Sequence, residues 1–428
     1  MGMKQTEVGM IPEEWTVQSF ADTFRILNNN TFSRAELNYV SGRFRNIHYG
    51  DVLILFPEVL DCTRDDVPYI NDEARISGSA QALQDGDIVM ADTAEDETVG
   101  KVTEVMNTSE KPVMSGLHTI PCRVKAGEFA PKWLGYYMNS HLYHDQLLPY
   151  IHGTKVSSVS KGSLGGTAII VPSTDEQKKI VGALSDIDTL IVDLQKLIQK
   201  KKDIRQGTMQ MLVTGKQRLS GFDGDWKTTT LDKLCRLVTK QTGFDYSAEI
   251  KPSLVTEPQI GTIPFIQNKD FEGFDINYNT DFYIPYAVAE KYPKILLDEV
   301  CLLISISGRI GNVAVFDNTQ TAFAGGAVGI AKLYDPDLAK WCMLYLSGRD
   351  GQEQIFSNEK VGAQHNLTVA DVRKLEIKLP DKTERESIIN VLADMDDEIN
   401  LLVEKLNKYK KVKQGMMEEL LTGKVRLI

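Results

Sequence analysis

A stretch near the middle of this 428-residue chain recurs at its end. PSTDEQKKIVGALSDIDTLIVDLQKLIQKKKDIRQGTMQMLVTGKQRL, residues 172–219, aligns with PDKTERESIINVLADMDDEINLLVEKLNKYKKVKQGMMEELLTGKVRL, residues 380–427, at a constant offset of 208 and without a gap. Identities include Pro172/Pro380, Glu176/Glu384, Leu184/Leu392, Asp186/Asp394, Asp188/Asp396, Gln206/Gln414, Gly207/Gly415 and the run from Thr214 to Lys216 against Thr422 to Lys424. A repeat of this period makes the chain two copies of one unit, and its fold must be built twice. The flanking sequence follows more loosely: Trp15 pairs with Trp226 and Gly100 with Gly311 at an offset of 211, and Trp133 with Trp341 at 208.

Each repeated segment carries an apolar seam. Ile180, Leu184, Ile187, Ile191, Leu194 and Ile198 step by four and three, as do Ile388, Leu392, Met395, Ile399, Leu402 and Leu406. This is the a/d pattern of a coiled coil. Ser173 stands three residues before Glu176, and Asp381 three before Glu384, so each helix has an N-cap acceptor with a carboxylate at N3. Gly215 and Gly423 suit a left-handed C-cap, with Lys216, Arg218, Lys424 and Arg426 near the negative end of the helix dipole. About 40 residues at 1.5 Å each predict a rod of roughly 60 Å. A single amphipathic helix would be read as an ordinary core element. Two of equal length and seam most simply pair with each other, antiparallel, while off-seam Val181, Leu190, Leu197, Val391 and Val403 leave room for helices from a partner.

The segments between read as mixed α/β modules. Runs at 52–56, 87–91, 167–171, 300–306 and 312–316 have β character, and helical stretches follow Trp133 and Trp341. The expected architecture is α+β, a pseudo-two-fold tandem repeat: two globular domains, 1–171 and 220–379, joined by two long antiparallel α-helices at 172–219 and 380–428.

Chemistry of the enzymatic kind is sparse. GTMQMLVTGK at 207–216 has the wrong interval for a phosphate loop and ends a helix. His141 and His144 stand i, i+3 with only distant further histidines, which favours a surface role over a metal site. Cys62, Cys122, Cys235, Cys301 and Cys342 are scattered and odd in number, so neither a zinc cluster nor a disulfide framework is expected. The N-terminus has no apolar run of signal-peptide length and no stretch approaches a membrane span, which predicts a cytoplasmic protein. The net charge of −11 argues against nucleic acid on composition alone.

The layout nevertheless resembles the specificity subunit of type I restriction-modification systems. The resemblance covers the whole chain and rests on Trp15 to Phe20, Trp226 to Leu231, SGRIG at 307–311, and above all the duplicated helix ending in VTGKQRL and LTGKVRL. In the first half only VGKV stands where the second has SGRIGNV. The resemblance implies two target-recognition domains that each read half of a split double-stranded DNA target. It also implies two methyltransferase subunits on the helices, carrying the S-adenosylmethionine that modifies adenine, and room for motor-nuclease restriction subunits. No cofactor, metal or catalytic residue is expected on this chain.

Candidate DNA contacts in the first domain are Arg34, Arg43, Arg45, Asn46 and His48, interleaved with Phe32, Phe44 and Tyr49, and then Lys155 and Lys161. In the second they are Gln267, Asn268 and Lys269, then Ser307, Arg309 and Asn312, then Lys360, Gln364, His365 and Asn366. Guanidinium and amide groups read guanine and adenine edges; a turn or solvated charge is the competing reading at each position. Two other functions stay open at this point: a coiled-coil scaffold without a DNA role, and a DNA-modifying enzyme with an unrecognised site.

Overall fold

The computed structural model describes residues 2–64, 66–153, 155–357 and 366–428. It divides into two units, Met1–Gln195 with Glu404–Ile428, and Lys196–Val403. The two seam segments are continuous 40-residue helices, α1 (Thr174–Val213) and α2 (Lys382–Leu421). Each unit therefore holds the start of one helix and the end of the other. In the first, Ile180 and Leu184 share a core with Leu420 and Leu421; in the second, Ile388 and Leu392 share one with Met209 and Leu212. Start packs on end in both units, so the pairing is antiparallel. Every named seam residue of α1 is buried, whereas Met395, Leu402 and Leu406 of α2 are half-buried.

The helix ends follow the capping logic and then depart from it. Ser173 Oγ accepts from Glu176 N–H at 3.3 Å, and Asp381 Oδ1 from Glu384 N–H at 2.9 Å. Gly215 and Gly423 both sit at φ +70°, where a side chain would be strained. The arginines beyond them do not serve the helix dipole, as the sequence suggested. Arg426 Nη2 donates to Glu176 Oε2 at 2.8 Å, and Trp15 Nε1 donates to the same oxygen at 2.8 Å. In the second unit Arg218 Nη2 and Trp226 Nε1 donate to Glu384 Oε2 at 2.7 and 2.9 Å. Each guanidinium also lies over its tryptophan ring, at 5.6 and 5.3 Å. The clasp thus joins the start of one helix, the end of the other and the first tryptophan of the unit.

A second exchange lies further along. Lys413 Nζ meets Asp188 Oδ1 at 2.7 Å and Glu58 Oε2 at 2.7 Å. Burial works against its charge, but the two carboxylates hold its pKa above the ordinary lysine value. The equivalent residues of the second unit, Arg205 and Asp396, pair through two bonds of 2.9 and 2.7 Å, with Phe274 under the guanidinium.

Between the helix segments each unit builds the same pair of sheets. In the first unit the strands are β1 (Phe24–Ile26), β2 (Arg45–Ile47), β3 (Ile88–Ala91), β4 (Val102–Met106), β5 (Val113–Ser115) and β6 (Thr119–Val124). In the second they are β7 (Cys235–Lys240), β8 (Thr262–Ile266), β9 (Cys301–Ser305), β10 (Val313–Phe316), β11 (Ala322–Ala324) and β12 (Val328–Leu333). One sheet runs β1-β6-β3-β4 and its counterpart β7-β12-β9-β10, all antiparallel; Val59–Asp61 extends the first. The other sheet contains a parallel pair, β2 with β5 and β8 with β11.

Four of the five runs read as β lie on strands. The exception is 52–56, which falls mostly in the helix Tyr49–Ile54, with His48 at its N-cap. Five apolar residues in a row fit a buried strand and a buried helical turn equally well, and here the cap decides. The stretch after Trp133 is helical in short pieces, Trp133–Met138 and His141–His144, and that after Trp341 forms Leu338–Ser347 and Arg349–Ser357.

Candidate nucleic-acid interface

Strand polarity gathers loops at one edge of each unit. In the second unit Lys240, ending β7, pairs with Gly329, and Ser305, ending β9, pairs with Val328, so both strands finish where β12 begins. β8 and β11 finish together, with Ile266 opposite Ala324. Gly325 N–H then donates to Ile266 O at 2.8 Å, Ile306 N–H to Ala327 O at 2.9 Å and Leu367 N–H to Ile306 O at 2.9 Å. Gln241, Gln267–Asp270, Ser307–Asn312, Gly325–Ala327 and Asn366–Leu367 consequently open on a common edge. Asn268 Nδ2 donates to Ser307 O at 2.7 Å, and Asn366 bridges to Ser307. Ser305 Oγ donates to Arg309 O at 2.6 Å and accepts from Asn312 N–H at 2.9 Å, which leaves the Arg309 side chain exposed on a pinned loop. Lys269 is tied to Asp281. Seven candidate residues are thus brought together, and Lys360, Gln364 and His365 lie outside the described residues.

The first unit repeats the backbone with other side chains. Gly116 N–H donates to Ile47 O at 2.8 Å, and Val159 N–H to Asp92 O at 2.9 Å, the counterparts of Gly325 and Leu367. Gly100 and Gly311 share a φ of +91° and each closes onto the end of its neighbouring strand, Gly100 N–H to Ala91 O at 2.9 Å and Gly311 N–H to Ser305 O at 3.1 Å. The loop shared only faintly in sequence is therefore shared in structure.

The candidates of the first unit are more dispersed. Arg34 pairs with buried Asp51 and donates to Tyr39 Oη at 3.1 Å. Arg45 donates to Cys62 O and lies over Tyr69. Asn46, in β2, is fully buried, with neither amide atom paired among the described residues. His48 accepts from Gly50 N–H, and burial, aided by the Arg34 charge, holds its imidazole below the usual value. Arg43 is exposed against Phe44. Lys155 and Lys161 are exposed around Ser157–Ser158, the strand that pairs with Thr93–Ala94.

Sequence reasoning missed Asn29, Asn30, Thr93, His118 and Gln241 at these edges. The usable signal was the 211 offset, which sets Asn30 opposite Gln241, four residues beyond β1 and one beyond β7. Among the described residues no group of three or more His, Cys, Asp or Glu is placed to hold a metal ion; His144 Nε2 instead engages Val99 O at 2.9 Å. No helix among them is long and apolar enough to cross a membrane.

Residues 224–412 match the family described as type I restriction modification DNA specificity domain. The chain is 24% identical over 439 residues to a putative type I restriction enzyme MjaX specificity subunit of Methanocaldococcus jannaschii, covering 99% of this chain and 96% of that protein. It is 25% identical over 292 residues to the MjaVIII specificity subunit of the same organism, covering 64% and 66%. Among solved structures, a chain from a study of complex assembly and conformational transition of the type I R-M system aligns with TM-score 0.60 and 15% identity, over 97% of this chain and 99% of that one. That likeness is one of fold.

Proposed function

We infer that this chain is a specificity subunit of a type I restriction-modification system and the DNA-recognition component of such a complex, with each unit reading one half of a bipartite target. The observation that carries the reading is the reciprocal build of the two units. The same helix clasp and the same strand-end edge occur twice, and duplex DNA has a two-fold pseudosymmetry that readers with two equivalent modules use.

The chain acts without catalysis of its own. Its partners are methyltransferase subunits, one for each copy of the repeat, which bring S-adenosylmethionine and extrude the adenine while this chain fixes register. Restriction subunits join the assembly. Asp186, Lys200 and Gly207, with Asp394, Lys408 and Gly415, are exposed yet identical between the copies and fall at heptad spacings. They mark the outward face offered to the methyltransferases. With a net charge of −11, the chain relies on those subunits for much of its phosphate neutralisation, which dominates DNA affinity.

Methylation mapping in cells carrying this gene and its methyltransferase tests the reading. A split adenine motif is expected, absent when this gene is deleted. Exchanging residues 1–171 for another member's first domain should change one half-site and leave the other and the gap alone. A heptad added to each helix, within 190–202 and 398–410, adds about 10 Å while preserving the seam. At ~3.4 Å per base pair the gap should widen by up to about three base pairs. In gel shifts the chain alone should bind weakly and the complex tightly and in a salt-sensitive way. Nanomolar sequence-specific binding by the isolated chain, S-adenosylmethionine binding to it, or a domain exchange that alters both half-sites would overturn the corresponding part.

A further inference from the structure

Gln241 follows the last residue of β7 and is 3% exposed, and neither its Oε1 nor its Nε2 has a hydrogen-bond partner among the described residues. An amide dehydrated without partners is costly, and folded proteins normally avoid it. This one is not sealed into a core. It lines a cleft of about 640 Å³ together with Lys240, Thr242, Tyr246, Phe265 and Gln267. Gly326 lies on the same cleft, and a Cβ there would stand 3.3 Å from Oε1; having none, it leaves room beside the buried acceptor. A planar donor-acceptor pair in a cleft bordered by two aromatic rings, one further amide and a lysine suits the edge of a nucleobase. The adjacent oxygen and nitrogen of a glutamine amide match N6–H and N7 of adenine.

We propose that this cleft receives an adenine edge of the half-site read by the second unit, and that Gln241 is its bidentate partner. The proposal rests on the DNA-reading function inferred above. Its logic is that of a site built unsatisfied: adenine completes both bonds, and any other base leaves at least one buried polar atom unpaired, so selectivity comes from the penalty on the wrong base. The counterpart at the 211 offset, Asn30, is likewise 3% exposed, but its Oδ1 accepts from Ser77 N–H at 3.0 Å and only Nδ2 lacks a partner. The first unit therefore offers a lone donor there, which accepts more than one base.

The test uses the full chain in complex with its methyltransferase, and duplexes carrying the mapped motif with each pair of the second half-site changed in turn. In Q241M, which keeps length and loses both polar atoms, discrimination at one A·T pair should fall from roughly 10- to 100-fold to within about threefold, with the first half-site unaffected. In Q241E the preference at that pair should move toward cytosine, whose N4–H₂ a carboxylate accepts. G326A, which leaves Gln241 in place and narrows the cleft beside Oε1, should weaken the same position. Variants that melt like wild type yet keep full selectivity at every second-half-site pair, or that lose affinity equally for target and non-target DNA, would overturn the assignment. A wild-type complex that fails to discriminate among any of the duplexes would instead overturn the underlying function.

Discussion

The two copies of the repeat keep different things in different regions. Along the helices they keep side chains: Glu176, Arg426 and Trp15 in one clasp, Glu384, Arg218 and Trp226 in the other, with donor distances that agree within about 0.1 Å. At the strand-end edges they keep only backbone. Gly116 and Gly325 make the same 2.8 Å bond, but His48 stands where the other unit has Gln267, and Asn30 where it has Gln241. A glutamate whose partners are an arginine and a tryptophan admits no substitute without stranding a buried charge. A loop anchored by peptide groups admits any side chain. The duplication has thus preserved a holder and freed a reader, as a protein must if its targets vary while its partners do not.

The largest test of this contrast is the clasp. The carboxylates of Glu176 and Glu384 are 4% and 0% exposed, and removing one partner of a buried pair costs about 3–5 kcal/mol. E176A and E384A should each lower unfolding stability by that order in denaturant titrations, with hydrogen exchange quickening in the first unit for one and the second for the other. A loss below about 1 kcal/mol in either would show that the clasp does not hold its unit.

The seam should come next and should be unequal. Leu194 is 8% exposed and its equivalent Leu402 is half-buried, so L194D should cost about 3 kcal/mol and L402D distinctly less. Both should impair assembly with the methyltransferase while leaving the sheets folded, as judged by their amide protection. Equal costs would mean that the helices are packed more symmetrically than their burial indicates.

How much of this could be read beforehand follows the same division. The seam, the caps and the repeat are local patterns, and six residues at four-three spacing in two copies leave little freedom. The clasp was hidden because Arg218 and Glu384 are 166 residues apart, and Arg426 and Glu176 are 250 apart; each arginine by itself looked like a dipole complement. Arg45, Asn46 and His48 looked like exposed polar groups able to reach base edges. They lie instead on or just beyond β2, which is flanked on one side by β5 and on the other by Tyr69–Ile70, so that a central strand carries polar residues inward. Composition shows polarity, and only the sheet order shows which polarity is covered.

A smaller difference separates the units by pH. Glu104 in β4 is buried, and burial pushes its carboxyl up to about 7, although it accepts N–H groups from Lys132 and Gly135 at 2.5 and 2.8 Å. The second unit has Val315 at the matching position of β10. A carboxyl raised on folding binds a proton more tightly in the folded state. Its contribution is therefore fully present below the unfolded value near 4.5 and is lost as pH rises through 7. The first unit should lose up to about 3 kcal/mol across that window, seen as faster exchange around 130–138 after correction for intrinsic rates, while 338–346 stays level. E104Q should flatten the dependence; a slope unchanged in E104Q would assign it to another group.

The smallest effect bears on why the holder keeps a costly residue. Gly207 and Gly415 lie in the interior of α1 and α2, exposed, and an added Cβ would meet nothing within 4 Å. Neither takes a left-handed conformation, so nothing inside the chain requires glycine, and glycine in a helix interior costs about 1 kcal/mol relative to alanine. G207A and G415A should therefore each stabilise the isolated chain by roughly 0.5–1 kcal/mol. If the identity of these glycines reflects close approach of a partner's backbone, the same substitutions should weaken methyltransferase binding in a pull-down or calorimetric titration, and G207S should weaken it further. Variants more stable alone and weaker in assembly would place the docking face on this side of each helix. Variants more stable and equally good at assembly would show that the glycines are a relic of the duplication, and that the holder is preserved by its clasps and seam alone.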